Sequence, residues 1–320
     1  MIESAPSGAP FVIKATGVRK LYGDIEAVAG VDVIVRRGET FAMLGPNGAG
    51  KTTTVEILEG YRTRDGGDVE VLGEDPADAG AGWRGRIGIV PQGTGAFELL
   101  TVAELVHHFS HFYENPLDPD ETIELVGLAD KRDSRCTTLS GGQQRRVDLA
   151  LGIVGNPELV FLDEPTTGLD PQARRQVWVL VKQMTDQGKT ILLTTHYLDE
   201  AEALADRVAV IAAGSIVAEG SPRDIGGRSD AIAVITFERR DGLSRVALPE
   251  LAVAGVEVED GTGLVRIETE EPTLVIERLA AWARAAGVQE LPGLAVTRPT
   301  LEDTYLRLIA AQREPDSVTE

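Results

Sequence analysis

"FAMLGPNGAGKTTTVEIL", residues Phe41–Leu58, joins an apolar run to a helical pattern through a glycine-rich turn. The run reads as a buried strand, and Gly45-x-x-x-x-Gly50-Lys51-Thr52 as a loop that closes on phosphates. Glycines suit such a loop because backbone N–H groups must reach phosphates that side chains would obstruct. The helix after the loop adds the partial positive charge of its N-terminus. Lys51 is expected to reach the β- and γ-phosphates of a nucleotide and Thr52 to ligate Mg²⁺.

From Phe11 to about Ser221 the same alternation recurs: TFAML then KTTTVEIL, RIGIV, ELVFLDE then QARRQVWVLVKQM, KTILLTT, RVAVI. It predicts an α/β domain with a largely parallel sheet over residues 11–225. Between about 93 and 156 the strand signals stop, and TVAELVHHFSHFY, ETIELVGL and the stretch after Ser140 carry helical spacing, so a helical subdomain is expected there. SPRDIGGRSD reads as a linker. Beyond it, AIAVITFE and GLVRIETE alternate like strands. Thr273–Ala286 sets Ile276, Leu279, Ala280 and Ala283 on one helical face before Gly287, and Thr300 with Asp303 has capping-box spacing. A small C-terminal α+β domain is therefore expected over 229–312, with residues 1–10 and 313–320 disordered. No internal repeat and no second phosphate loop stand out.

Two further stretches carry chemistry. LVFLDEPTTGLD ends an apolar strand in Asp163 and Glu164, and adjacent carboxylates there are costly unless they meet a cation or a proton to move. Asp163 suits Mg²⁺ through water, and Glu164 suits the base that polarises a water attacking the γ-phosphate. The alternative is a carboxylate pair that caps the segment after Pro165. In Leu139-Ser140-Gly141-Gly142-Gln143 a hydroxyl and open amides lead a helix, a second anion-binding terminus. Ser140 as a simple N-cap is the other reading, but it leaves two glycines in the first turn, each costing about 1 kcal/mol of helix propensity. A close-approaching ligand accounts for them. With one γ-phosphate already taken by the first loop, the simplest ligand is the nucleotide held by another copy.

The 320 residues allow one large domain with a smaller neighbour, and the net charge of -20 opposes binding to nucleic acid or anionic lipid. Cys136 is the single cysteine, so no internal disulfide is possible and the cytosol is the expected compartment. No apolar run has the length of a membrane span, so any membrane role is expected to need another chain.

GPNGAGKTT, LSGGQ, VFLDE, GLD and His196, in this order, resemble the nucleotide-binding subunit of ABC transporters over roughly the first 220 residues. The resemblance implies a P-loop ABC-type ATPase with an inserted helical subdomain, using ATP and Mg²⁺. It implies nucleotide contacts from Gly45, Asn47, Gly48, Gly50, Lys51, Thr52 and Thr53. It also implies a head-to-tail dimer, with itself or a homologous ATPase, in which Ser140 and Gly142 of one copy complete the site built on Lys51 of the other. Tyr22 matches the aromatic that stacks on adenine and Gln92 the glutamine that touches Mg²⁺ and relays nucleotide state to a membrane permease. His196 matches the residue that holds the γ-phosphate, and Asp170 the loop crossing the dimer interface.

The ending RPTLEDTYLRL resembles drug- and polysaccharide-exporter ATPases, the daunorubicin-resistance type among them. It implies export of a hydrophobic compound, such as an antibiotic, from a cytoplasmic position on the inner face of the membrane. A soluble ABC ATPase acting on ribosomes or chromosomes is the alternative. It is disfavoured by the single phosphate loop, the short interval before LSGGQ and the acidity. His107, His108 and His111 have spacings that suit a metal, yet no cysteine or carboxylate pairs with them in the sequence, and a partly exposed helix surface is the expected reading.

Overall fold

The computed structural model describes residues 11–93, 99–227, 232–239, 243, 248–249, 251, 255–258, 263–298 and 300–313. The expectations for residues 1–10 and 314–320 fall outside these; Arg313, expected in the tail, ends the last helix. The chain divides into two compact units, the larger running to Pro222 and taking up the chain again from Ile309, the smaller spanning Arg223–Leu308.

In chain order the larger unit contains β1 (Phe11–Tyr22), β2 (Ile25–Arg36), β3 (Thr40–Leu44), α1 (Lys51–Leu58), β4 (Gly66–Val71), α2 (Ala81–Arg84) and β5 (Ile87–Val90). It continues through α3 (Val102–Ser110), α4 (Pro119–Leu125), α5 (Gly141–Ile153), β6 (Leu159–Asp163), α6 (Pro171–Asp186), β7 (Thr190–Thr195), α7 (Leu198–Leu204), β8 (Arg207–Ala212) and β9 (Ser215–Gly220). A six-stranded sheet runs β5-β6-β7-β3-β8-β9, parallel except for β9. Its strands β3, β6 and β7 are buried at every position, as their unbroken apolar runs require of a sheet covered on both faces.

A second, antiparallel sheet, β2-β1-β4, was not expected from the alternation of strand and helix. Its long strands alternate buried and exposed residues and carry register shifts near Gly17, which blur the period-two signal. Val12, Val18, Val33, Val35 and Val71 from this sheet share one core with Phe41, Met43 and Phe161 of the other.

Between β5 and β6 the described residues form helices and turns, as expected. Thr101 caps α3 through a full capping box with Glu104, and Asp118 caps α4. α5 packs against β5, α3, α4 and α6. Its seat on β5 is unusually close: a Cβ on Gly88 would lie 2.0 Å from the Gly152 carbonyl oxygen.

In the smaller unit β10 (Ala233–Glu238), β11 (Gly255–Val258), β12 (Leu264–Thr269) and β13 (Ala295–Thr297) form an antiparallel sheet in the order β11-β12-β10-β13. Helix α8 (Pro272–Ala285) packs on it through Val275, Leu279 and Ala283, with Ile276 only partly buried. The apolar stripe therefore lies one residue round from the expected face, because the i, i+4, i+8 row led by Val275 meets the sheet. Gly287 stops this helix at φ 81°. Helix α9 (Leu301–Arg313) has the expected capping box: the Asp303 amide donates to Thr300 Oγ1 at 3.1 Å and the Thr300 amide to Asp303 Oδ2 at 2.7 Å.

The closeness of Gly88 to α5 predicts that Gly88→Ala, which forces a methyl into backbone, costs about 1–3 kcal/mol. The melting temperature should fall by roughly 3–10 °C, whereas Gly82→Ala, inside α2 with open space at its Cβ, should hold or slightly raise it; differential scanning fluorimetry measures both.

Candidate active site

The sheet order aligns the expected site residues. Strands β5, β6, β7 and β3 are neighbours, with Asp163 paired to Thr194 and Leu44 to Thr195. Their carboxyl ends therefore lead, side by side, into Gln92, Glu164, His196 and the loop that starts at Gly45. That is the edge where open α/β sheets bind ligands.

The loop is shaped mainly by protein on its inner side. A Cβ at Gly45 would lie 2.4 Å from the Ile211 carbonyl oxygen, and one at Gly50, which caps α1 at φ 100°, 2.4 Å from that of Ala27. These two glycines answer to the protein's own backbone, a reason that differs from the phosphate approach expected of them. Gly48, at φ 80°, would meet nothing, and with exposed Asn47 it leaves the outer face of the loop open. The Lys51 ammonium donates to the Gly45 and Pro46 carbonyls at 2.7 and 3.1 Å and lies 3.8 Å from Glu164 Oε1. Burial lowers its pKa, while the charges of Glu164 and Asp163 hold it up.

Asp163 and Glu164 are both largely buried. Thr194 Oγ1 donates to Asp163 Oδ1 and accepts the Glu164 amide at 3.0 Å, tying the pair to β7. Glu164 adopts φ 45°, a left-handed backbone that costs an ordinary side chain about 1–3 kcal/mol. Its Oε2 accepts from Gln92 Nε2 at 2.9 Å and Thr167 Oγ1 at 3.0 Å; its Oε1 lies 3.4 Å from His196 Nδ1. The His196 ring lies against that of Tyr197, tilted by 40°, with centroids 4.1 Å apart. Thr52 Oγ1 lies 3.4 Å from Asp163 Oδ2, and this hydroxyl and carboxylate, both hard oxygen donors, fit Mg²⁺.

The remaining expected residues lie on other elements. Thr53 is half-buried in the first turn of α1. Tyr22 is 41 % exposed, with Lys20 and Arg62 near its ring at 5.9 and 5.3 Å. Asp170 caps α6, accepting from the amides of Gln172 and Ala173 at 2.9 Å. Ser140 caps α5 in a capping box with Gln143. A Cβ on Gly142 would stand 3.0 Å from Ala173 Cβ, whereas one on Gly141 would meet nothing, so Gly141 is the glycine with no explanation inside its own chain. Near α3, His107 Nε2 meets Asp120 at 3.1 Å, and among the described residues no three or more His, Cys, Asp or Glu side chains gather as a metal site.

One contributor went unread in the sequence. Arg145, second of the residues after LSGGQ, is buried and donates from Nε to Pro165 O and from Nη2 to Asp163 O, both at 2.9 Å, and from Nη1 to Pro91 O. One guanidinium thus joins α5 to the backbone beside Gln92 and beside Glu164. The available signal was its position four and eight residues before the buried Leu149 and Ile153, on the inner stripe of α5.

Behind the site, Glu59, Tyr61, Ile89, Pro91, Phe109 and Asp148 help line a groove of about 480 Å³ between sheet and helices. Burial raises Asp148 to a pKa of about 6 against the pull of Arg145. Burial, then the charges of Asp163 and Glu56, raises Glu59 to about 8. The folded chain thus holds the Glu59 proton more tightly than the unfolded chain, where it leaves near 4.5, so this group destabilises the fold progressively as pH rises between those values. Glu59→Gln should therefore melt at the wild-type temperature near pH 4 and above it at pH 8.5, measured by calorimetry across that range.

Comparison with known proteins is consistent with this geometry. Residues 28–167 match the ABC transporter family model, and residues 233–300 match the C-terminal domain of ABC transporter domain-containing proteins. The daunorubicin resistance ATP-binding protein DrrA3 of Streptomyces coeruleorubidus is 35 % identical over 94 % of this chain and 96 % of its own length. A Nod factor export ATP-binding protein I from Ralstonia nicotianae is 35 % identical over 94 % of each. Among solved structures, the dimeric ATP-binding cassette MJ0796 in a post-hydrolysis state with ADP and phosphate superposes with a TM-score of 0.60 at 26 % identity, covering 65 % of this chain and 98 % of that one. The CbiO1 structure from Clostridium perfringens gives 0.61 at 28 %, covering 67 % and 90 %. Phosphate loop, strand-end carboxylates and full-length kinship agree: the chain belongs to the ABC transporter family and is one of its ATPases.

Proposed function

We propose that the chain powers export of a hydrophobic compound through a separate membrane permease, hydrolysing ATP between two head-to-tail copies. The observation that carries the catalytic reading is the convergence of Lys51, Gln92, Thr167 and His196 on the one Glu164 carboxylate. A carboxylate with Oε2 fixed by two donors and Oε1 turned toward the phosphate-loop lysine can orient a water and accept its proton. As the new oxygen–phosphorus bond forms, the γ-phosphorus–oxygen bond to ADP breaks. Lys51 exchanges its loop carbonyls for phosphate oxygens, and His196, braced by Tyr197, holds the γ-phosphate from the side of β7. Mg²⁺, held by Thr52 and Asp163 with Gln92 nearby, would neutralise charge on the phosphate oxygens. Tyr22, exposed beside two cations, offers its face to adenine.

The shared site rests on Ser140 and Gly142, with Gly141 between them. Ser140 and Gly141 are exposed at the start of α5, and the amide end of that helix is open to an anion. Gly142 is half-buried in the same turn, where a Cβ would stand 3.0 Å from Ala173 Cβ. The dimeric state of the MJ0796 cassette supports the pairing. Export and a permease partner are supported by relatives named for resistance and export over nearly the whole chain. The groove beside Pro91, one residue from Gln92, is the surface on which that partner would feel the nucleotide. On this reading the protein works from the inner face of the cell membrane. No observation favours a ribosomal or chromosomal role.

Glu164→Gln should keep ATP binding, lower turnover by at least about 100-fold and accumulate as a dimer with ATP; light scattering that finds only monomers, or undiminished phosphate release, contradicts the reading. Ser140→Arg should bind one ATP per chain by calorimetry yet neither dimerise nor hydrolyse it.

A further inference from the structure

We propose that Glu200 is a positioning residue for hydrolysis, its buried carboxyl pinning the loop after Glu164 to the helices behind His196. This rests on the roles proposed above for Glu164 and His196, and it concerns a side chain that the reaction itself does not use.

Glu200 sits in the first turn of α7 and is fully buried. Its Oε1 accepts from Thr166 Oγ1 at 2.8 Å and from Trp178 Nε1 at 3.1 Å. Thr166, itself fully buried, is two residues past Glu164, and Trp178 is on α6. The carboxyl therefore joins three segments: the loop leaving β6, the helix after it, and the helix just beyond His196. Its Oε2 is buried as well. Burial raises the pKa of this group, and hydroxyls of Thr195 and Thr166, the Trp178 indole and the charge of Arg174 draw it only part of the way back.

A carboxyl in such a place is costly. An apolar residue would fill the space without that penalty, so the carboxyl is explained by its bonds. They make it the second of three successive anchors. Pro165 is held through its carbonyl by Arg145, Thr166 through its hydroxyl by Glu200, and Thr167 turns its hydroxyl back to Glu164. Glu164 needs such support because its left-handed backbone would relax if the next residues were free. The same turn of α7 steadies His196 from its other side. Asp199 meets Arg174 at 3.1 Å, the Arg174 guanidinium lies 4.3 Å over the Tyr197 ring, and Tyr197 lies against His196.

The test is steady-state ATP hydrolysis by the full chain with Glu200→Ala, Glu200→Gln and Thr166→Val, beside Glu164→Gln. Loss of the anchor should lower kcat by about 10- to 100-fold in Glu200→Ala and Thr166→Val, with KM for ATP within about twofold, since a misplaced catalytic group costs rate rather than binding. Glu200→Gln, whose amide oxygen still accepts both bonds, should keep most of the rate. Should Glu200→Ala fold poorly, Thr166→Val, which removes one hydroxyl, decides alone. Wild-type kcat in Thr166→Val, equal loss in Glu200→Gln and Glu200→Ala, or a KM that rises in step with the lost rate would each overturn the inference. If Glu164→Gln is silent while Glu200→Ala and Thr166→Val run at full rate, only this inference falls. If Glu164→Gln itself runs at full rate, the reading of the site falls and takes the inference with it.

Discussion

Two carboxylates end a strand that is otherwise wholly apolar, and the larger unit is arranged to make that tolerable. Asp163 and Glu164 are largely buried, so each must be met by donors or by a cation. Thr194 supplies a hydroxyl from the adjacent strand, Gln92 an amide from the strand on the other side, and Lys51 a charge from across the phosphate loop. The parallel order of β5, β6, β7 and β3 answers the same need, for only strands ending at one edge bring these groups within reach of one another. Sheet topology and chemistry are thus one constraint seen at two scales.

Arg145 extends that constraint into the helical subdomain. Its guanidinium donates to three carbonyls, and those carbonyls belong to segments that also present Gln92 and Glu164. The planar fork suits three diverging carbonyls, whereas the single ammonium of a lysine would reach them poorly. The helix that begins with Ser140 is therefore bonded to the segments at that sheet edge, through groups that a rearrangement of either would disturb.

Much of this was legible in the sequence, and the rest was hidden for a physical reason. Thr40–Leu44 and Lys51–Leu58 stand where the pattern put them, because an unbroken apolar run, a glycine turn and a helical period are all local. Asp163, Glu164, Gln92 and His196 were found as members of motifs, and their convergence is explained once strand order is known. The β2-β1-β4 sheet was missed where shifts of register disrupt strict alternation. Arg145 and Glu200 were missed for a deeper reason. Each acts on partners 18 to 54 residues away in the one case and 22 to 34 in the other, and no periodicity within a helix reports which distant carbonyl or hydroxyl a side chain will find. The glycines of the phosphate loop show the converse. They stand out in the sequence, but Gly45 and Gly50 are pressed against the Ile211 and Ala27 carbonyls, a constraint the sequence does not show.

The contact of Gly88 with Gly152 has a mechanical consequence. Most helices ride on a sheet through a cushion of side chains, which can absorb a small displacement by changing rotamers. Here the cushion is missing: backbone rests on backbone, and Val90 closes the remaining gap against Gly152. A push delivered to the front of α5 therefore travels along a rod rather than a spring, and arrives undamped at the strand whose next residues are Pro91 and Gln92.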